Sequence, residues 1–134
     1  MSEQTIQNAL FSTEVSILDK YTCLNLGATT INDLIKSGKL KNVKVSKNLS
    51  KKPDVLITNK NKEVIVFIEF KTPDELNTKA KINKAIKQEI GVAREIGAKI
   101  YIVTDGDKFI WLNPITGNHI VDEKGNQISR KIDP

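Results

Sequence analysis

An α/β fold, with a mixed central sheet flanked by helices in a single domain spanning residues 1–134, is what this sequence predicts. Three observations carry that expectation. The run V64-I-V-F-I68 is apolar on both strand faces and too short for a buried helix, which marks a central strand. T72-P-D-E75 then opens a stretch whose apolar residues recur at helical spacing, and after it KIYIVT and FIWLN again read as strands. Helix, three strands, long helix, then strands is the resulting order, and it calls for helices packed on a mixed sheet.

Residues 5 to 24 place Ile6, Leu10, Val15, Leu18 and Tyr21 at mostly helical spacing, which predicts one helix or two short ones with a break at Ser12 or Thr13. TTINDLIKS predicts a second short helix capped by Thr30 and stopped by Gly38, and KNVKV then begins the first strand. VLIT and EVIVFIEF follow, joined across N59-K-N-K62 by a connection of hairpin length. Thr72 caps the long helix, Pro73 takes its first position and Glu75 completes a capping box. Ile82, Ala85, Ile86, Ile90, Ala93 and Ile96 make its apolar stripe and Gly97 ends it, so the helix is expected over residues 73–96. D105-G-D-K reads as a hairpin turn between the next two strands, lacking the further ligands of a calcium loop. Tyr101 and Trp111 fall in alternating patterns and read as core, HIV suggests a short last strand, and the tail DEKGNQISRKIDP reads as polar and loosely ordered.

Composition narrows the chemistry. No stretch approaches the roughly 18 apolar residues of a membrane span, and the N-terminus lacks a basic start followed by an apolar block, so no membrane partner and a cytoplasmic setting are expected. One cysteine, Cys23, and one histidine, His119, exclude an internal disulfide and the usual nitrogen and sulfur zinc site; any metal must sit on oxygens. No G-x-x-x-x-G-K-[ST] loop is present, which excludes an ATP-driven motor within this chain. The net charge of +5 is unevenly placed: no acid lies between Asp33 and Asp54, where Lys36, Lys39, Lys41, Lys44, Lys47, Lys51 and Lys52 fall. Such a block fits a polyanion, and equally the solvated surface of a lysine-rich chain.

The central strand ends in charge. Glu69 and Lys71 share one face while Phe70 points to the other. If Thr58 faces Glu63 across the hairpin, residue 54 pairs with 67, and Asp54 and Glu69 become diagonal neighbours with Cβ atoms roughly 7 Å apart. Two carboxylates so placed can grip a divalent cation, Mg²⁺ above all, with the Phe70 carbonyl as a further oxygen. Beside that ion Lys71 can orient or deprotonate a water, or offset charge growing on a phosphate, a set suited to phosphodiester hydrolysis. An E-x-K pair ending a surface strand is commonly an ion pair alone, but this strand is apolar on both faces.

P53-D54 followed by E69-F70-K71 resembles the PD-(D/E)XK nuclease signature. With E69-F-K-T-P73, Gln88 on the next helix and I102-V-T-D-G106 followed by F109-I-W, the chain is similar to the N-terminal nuclease domain of the motor subunit of type I restriction enzymes. That resemblance covers residues 50–117, and it departs at Val92, where the family's Q-x-x-x-Y motif has tyrosine. It implies a restriction-endonuclease-like αβββαβ core and a Mg²⁺-dependent DNA endonuclease, with Mn²⁺ as a substitute ion. Asp54 and Glu69 are implied to hold the metal, Lys71 to act in the chemistry, and Gln88 to support the site. The resemblance also implies a glutamate from the first helix, Glu14 with Glu3 behind it, and other restriction–modification subunits as partners. On a helical wheel Gln88 lies about 60° from Ala85, at the stripe's margin and near Lys81, where it can reach past the sheet edge. Lys44, Lys47, Lys51, Lys52 and Lys81 are the expected DNA contacts. Two alternatives remain open: a non-catalytic DNA-binding or assembly module of the same fold, and a junction-resolving or repair nuclease.

Overall fold

The structure, a computed structural model, describes residues 14–17 as backbone, and residues 20–43 and 47–129 in full. It is α/β. Strand β1 (Glu14–Ile17) pairs antiparallel with β2 (Tyr21–Asn25), and helix α1 (Ile31–Lys36) follows. Next come the hairpin β3 (Val55–Asn59) and β4 (Val64–Phe70), a 3-10 turn (Pro73–Glu75), helix α2 (Lys79–Glu95), and the strands β5 (Ile100–Thr104) and β6 (Phe109–Leu112). Among the described residues six strands form one sheet in sequence order. Each neighbouring pair is antiparallel except β4 with β5, which is parallel and therefore needs the crossover that α2 supplies.

Local chemistry sets these elements. Thr30 Oγ1 accepts the Asp33 N–H at 3.1 Å and caps α1 as expected. Gly97 closes α2 at φ +81°, a left-handed turn that glycine takes without steric cost. The helix face of the sheet carries Leu24, Leu56, Phe67, Tyr101 and Leu112 against Ile31 and Leu34 of α1 and Ala85, Ile86, Val92 and Ala93 of α2. Phe67 and Tyr101 meet edge to face at 5.5 Å, worth about 0.5–1.5 kcal/mol beyond their burial. Cys23, Val55, Ile68, Phe70 and Ile102 form a separate cluster on the opposite face.

Four expectations are corrected. Within the segment read as a first helix, residues 14–17 and 21–25 are instead an antiparallel hairpin, because V15-S-I and Y21-T-C-L also alternate and their β-branched residues favour pairing. Residues 41–43 of KNVKV carry no strand, and 44–46 lie outside the described residues. The long helix begins at Lys79, not Pro73: the capping box of Thr72 and Glu75 holds only a 3-10 turn. Leu76 is then buried in the core, and Thr78 Oγ1 caps α2 by accepting the Lys81 N–H. The last strand reduces to isolated bridges, Leu112 with His119 and Val121 with Gln127, the latter closing a turn where Asp122 Oδ1 accepts two backbone N–H groups. Among the described residues no helix is long and apolar enough to cross a membrane.

Candidate metal and phosphate site

The hairpin between β3 and β4 decides whether the two carboxylates meet. Lys62 turns at φ +64°, the Lys62 N–H donates to the Asn59 carbonyl, and the Asn59 N–H donates to that of Glu63, so Asn59 rather than Thr58 faces Glu63. Beyond the turn, Thr58 pairs with Val64 but Ile57 with Val66, a bulge that adds one residue on β4. These departures together move the register by two residues. Two is the side-chain period of a strand, so the face is unchanged and the neighbours differ. Val55 pairs with Ile68, and the next position brings Asp54 directly opposite Glu69 instead of diagonal to it.

There the side chains engage. Asp54 Oδ2 accepts the Phe70 N–H at 2.9 Å, and the Asp54 and Glu69 carboxyl groups are hydrogen-bonded to each other. Burial raises the Asp54 carboxyl above its ordinary range, while the Phe70 N–H, the Glu69 carboxyl and the Lys71 ammonium pull it back. Burial also raises Glu69, and the charges of Asp54 and Glu89 raise it further against the opposing pull of Lys71. Burial and the adjoining charge thus both favour a proton held by the pair when no cation is present.

Lys71 continues the same face and is 8% exposed. Its backbone N–H bonds the Thr104 carbonyl, and its Nζ donates to Gln88 Oε1 at 2.8 Å. Asp54, Glu69, Lys71 and Gln88 are thus brought together. A groove of about 230 Å³ runs from Gln88 past Lys81 and Lys84 to Asp74 and Glu75. Phe70 gives the site its N–H and turns its ring to the other cluster.

Other expected residues fare differently. Glu14 sits on β1 opposite Leu24, not on a helix, and its side chain, like Glu3 and Lys44, lies outside the described residues. Lys47 is exposed and its backbone N–H donates to Glu95 Oε1. Lys51 stands 3.9 Å from Glu89, and Lys52 is exposed. Lys81 Nζ donates to the Asp74 carbonyl at the groove. Sequence reasoning missed Glu89, whose charge bears on Glu69, and Lys84, which lines the groove. It also read Tyr101 as core alone; the ring is core, but the carboxylates of Glu69, Glu89 and Asp54 all bear on its hydroxyl, which burial raises first. Glu89 follows Gln88, but nothing in the sequence shows how α2 is rotated over the sheet.

No model of a known protein family, no curated protein and no solved structure matches this chain.

The donor set fits a hard cation. Asp54 and Glu69 are half-buried, and a divalent ion between their carboxyl groups would take the place of the proton they share. Among the described residues no group of three His, Cys, Asp or Glu side chains is placed to hold one ion.

Proposed function

We propose that this chain is a Mg²⁺-dependent endonuclease acting on DNA, built on the restriction-endonuclease-like αβββαβ core and serving as the nuclease domain of a restriction–modification system with further subunits. The observation that carries it is the Asp54–Glu69 pair, directly cross-strand, with Lys71 two residues on along the same face and held by Gln88. Nothing in the packing of the core calls for two adjoining carboxylates and an ammonium group there, and burying them costs stability.

In this reading Asp54 and Glu69 hold the ion, with the Phe70 carbonyl as a further oxygen. When bound, the ion supplies Lewis acidity toward a phosphodiester and acidifies a water. Lys71, fixed in direction by Gln88, sets its ammonium where charge grows on the phosphate during attack. Lys81 and Lys84 in the groove, with Lys87 one turn beyond Lys84 beside Gln88, give the DNA backbone a path to the site.

The test is plasmid nicking with Mg²⁺ or Mn²⁺. Wild type converts supercoiled to open-circle DNA, and Asp54→Ala, Glu69→Ala and Lys71→Ala each abolish this. Cutting that survives all three removes the assignment. Calorimetry with Mn²⁺ tests the cation directly: binding is lost in Asp54→Ala, and an unchanged titration refutes the site. DNA affinity that falls with salt yet ignores metal indicates the non-catalytic module instead.

A further inference from the structure

Two grooves border α2, and they differ in charge. The inner one, about 230 Å³, has Asp74 and Glu75 on one wall and Lys84 and Gln88 on the other, with the buried Ala85 between. The outer one, about 410 Å³, is lined by Ala80, Asn83, Lys84, Lys87 and Gln88, with no carboxylate among the described residues that line it. Lys84 and Gln88 thus belong to both. At one end of the inner groove Lys81 Nζ donates to the Asp74 carbonyl at 3.0 Å and ties the walls together. At the other stands Gln88, whose Oε1 accepts from Lys71 Nζ, so the groove ends at the site. The helix rises roughly 10 Å from Lys81 to Gln88. That length and volume hold a single flat ring system and exclude a duplex. The carboxylates of Asp74 and Glu75 repel phosphate, whereas the lysines of the outer groove attract it.

Resting on the DNA reading above, we propose that the inner groove is a nucleobase subsite, which makes DNA with unpaired bases at the cut the preferred substrate class. The strand's phosphates follow Lys84 and Lys87, and one base beside the scissile phosphate turns across Lys84 and Gln88 into the inner groove. There Asp74 accepts from an exocyclic amine, and the Lys84 ammonium donates to a ring acceptor. Cytosine offers that combination, its N4 amine beside the N3 acceptor; thymine carries O4 in place of the amine, and a carboxylate repels it. In a duplex the partner base occupies the same edge, so only an unpaired base can answer. Asp74 is exposed and no part of the core, so it selects the base without holding up the fold.

Fluorescence anisotropy in chelator at pH 7.5, with short labelled strands of cytosine only and of thymine only, tests this on wild type and Asp74→Asn, alongside plasmid nicking and thermal melts of both proteins. Wild type binds the cytosine strand about 5-fold or more tighter, as one good base contact provides, and the preference disappears when each strand is annealed to its complement. An amide both donates and accepts, so Asp74→Asn narrows the difference to within about twofold at an unchanged melting temperature, with no loss of affinity for the thymine strand. Equal affinity of wild type for the two strands, no affinity for either, or a cytosine preference that survives Asp74→Asn or annealing overturns the subsite; nicking that persists then leaves the nuclease reading in place. The expected preference without any nicking refutes the nuclease reading and keeps the subsite. Should neither strand bind and plasmid stay uncut, both fall.

Discussion

Glu69→Gln should change how stability depends on pH in a way that few single substitutions can. Burial and the adjoining Asp54 charge raise the Glu69 carboxyl, so the folded protein holds a proton that the unfolded chain releases near pH 4.3. A raised folded value means that the contribution is complete below the unfolded value and is lost as pH climbs toward the folded one. One extra proton in the native state corresponds to about 1.4 kcal/mol lost per pH unit within that window. Between pH 5.5 and 7.5 metal-free wild type therefore loses on the order of 2–3 kcal/mol relative to Glu69→Gln, which has no proton to give up at this position. In urea this appears as a shift of the midpoint difference on the order of 1–2 M. The assay is urea unfolding of both proteins, in chelator, at pH 5.5, 6.5 and 7.5. Parallel stability profiles refute the shared proton and with it the close approach of the two carboxyl groups.

Gln88→Ala frees the Lys71 ammonium from its acceptor and should lower nicking about 10- to 100-fold, as misdirected catalytic groups do, while Mn²⁺ affinity stays within about twofold. Lys84→Ala with Lys87→Ala should weaken DNA binding uniformly across sequences and flatten the dependence of log K on log salt by about 2, read from binding isotherms at several salt concentrations. Cys23 is fully buried and its thiol is pushed up to about 11 by that burial, so at pH 8 it should not react with a disulfide reagent until denaturant is added.

The strand faces at the site were legible because they depend on parity alone. A turn one residue shorter than expected and a bulge at Ile57 and Thr58 changed Asp54's partner, yet both partners lie on the same face of β4. For Gln88 the edge of an apolar stripe was not enough, since a surface residue fits there equally, and the motif resemblance pointed to the contact with Lys71. Short apolar runs were not legible: Val15 and Ile17 fit two periodicities, and only a neighbouring strand, β3 pairing with β2, decides for extended chain. Nor does sequence tell which of two threonine caps opens a helix when burying Leu76 determines where the chain must turn. Glu89 and the Tyr101 hydroxyl depend on how a helix sits over a sheet, and packing of distant segments fixes that.

The single parallel junction, β4 against β5, works as a seam. On one side, β1 through β4 form a continuous meander that carries Asp54, Glu69 and Lys71; on the other, α2, β5 and β6 carry Gln88, Glu89 and Tyr101. The half proposed to grip the ion and the half that steadies the lysine share no short hairpin, so loosening that one junction would uncouple grip from aim while leaving each half's own strand pairs in place.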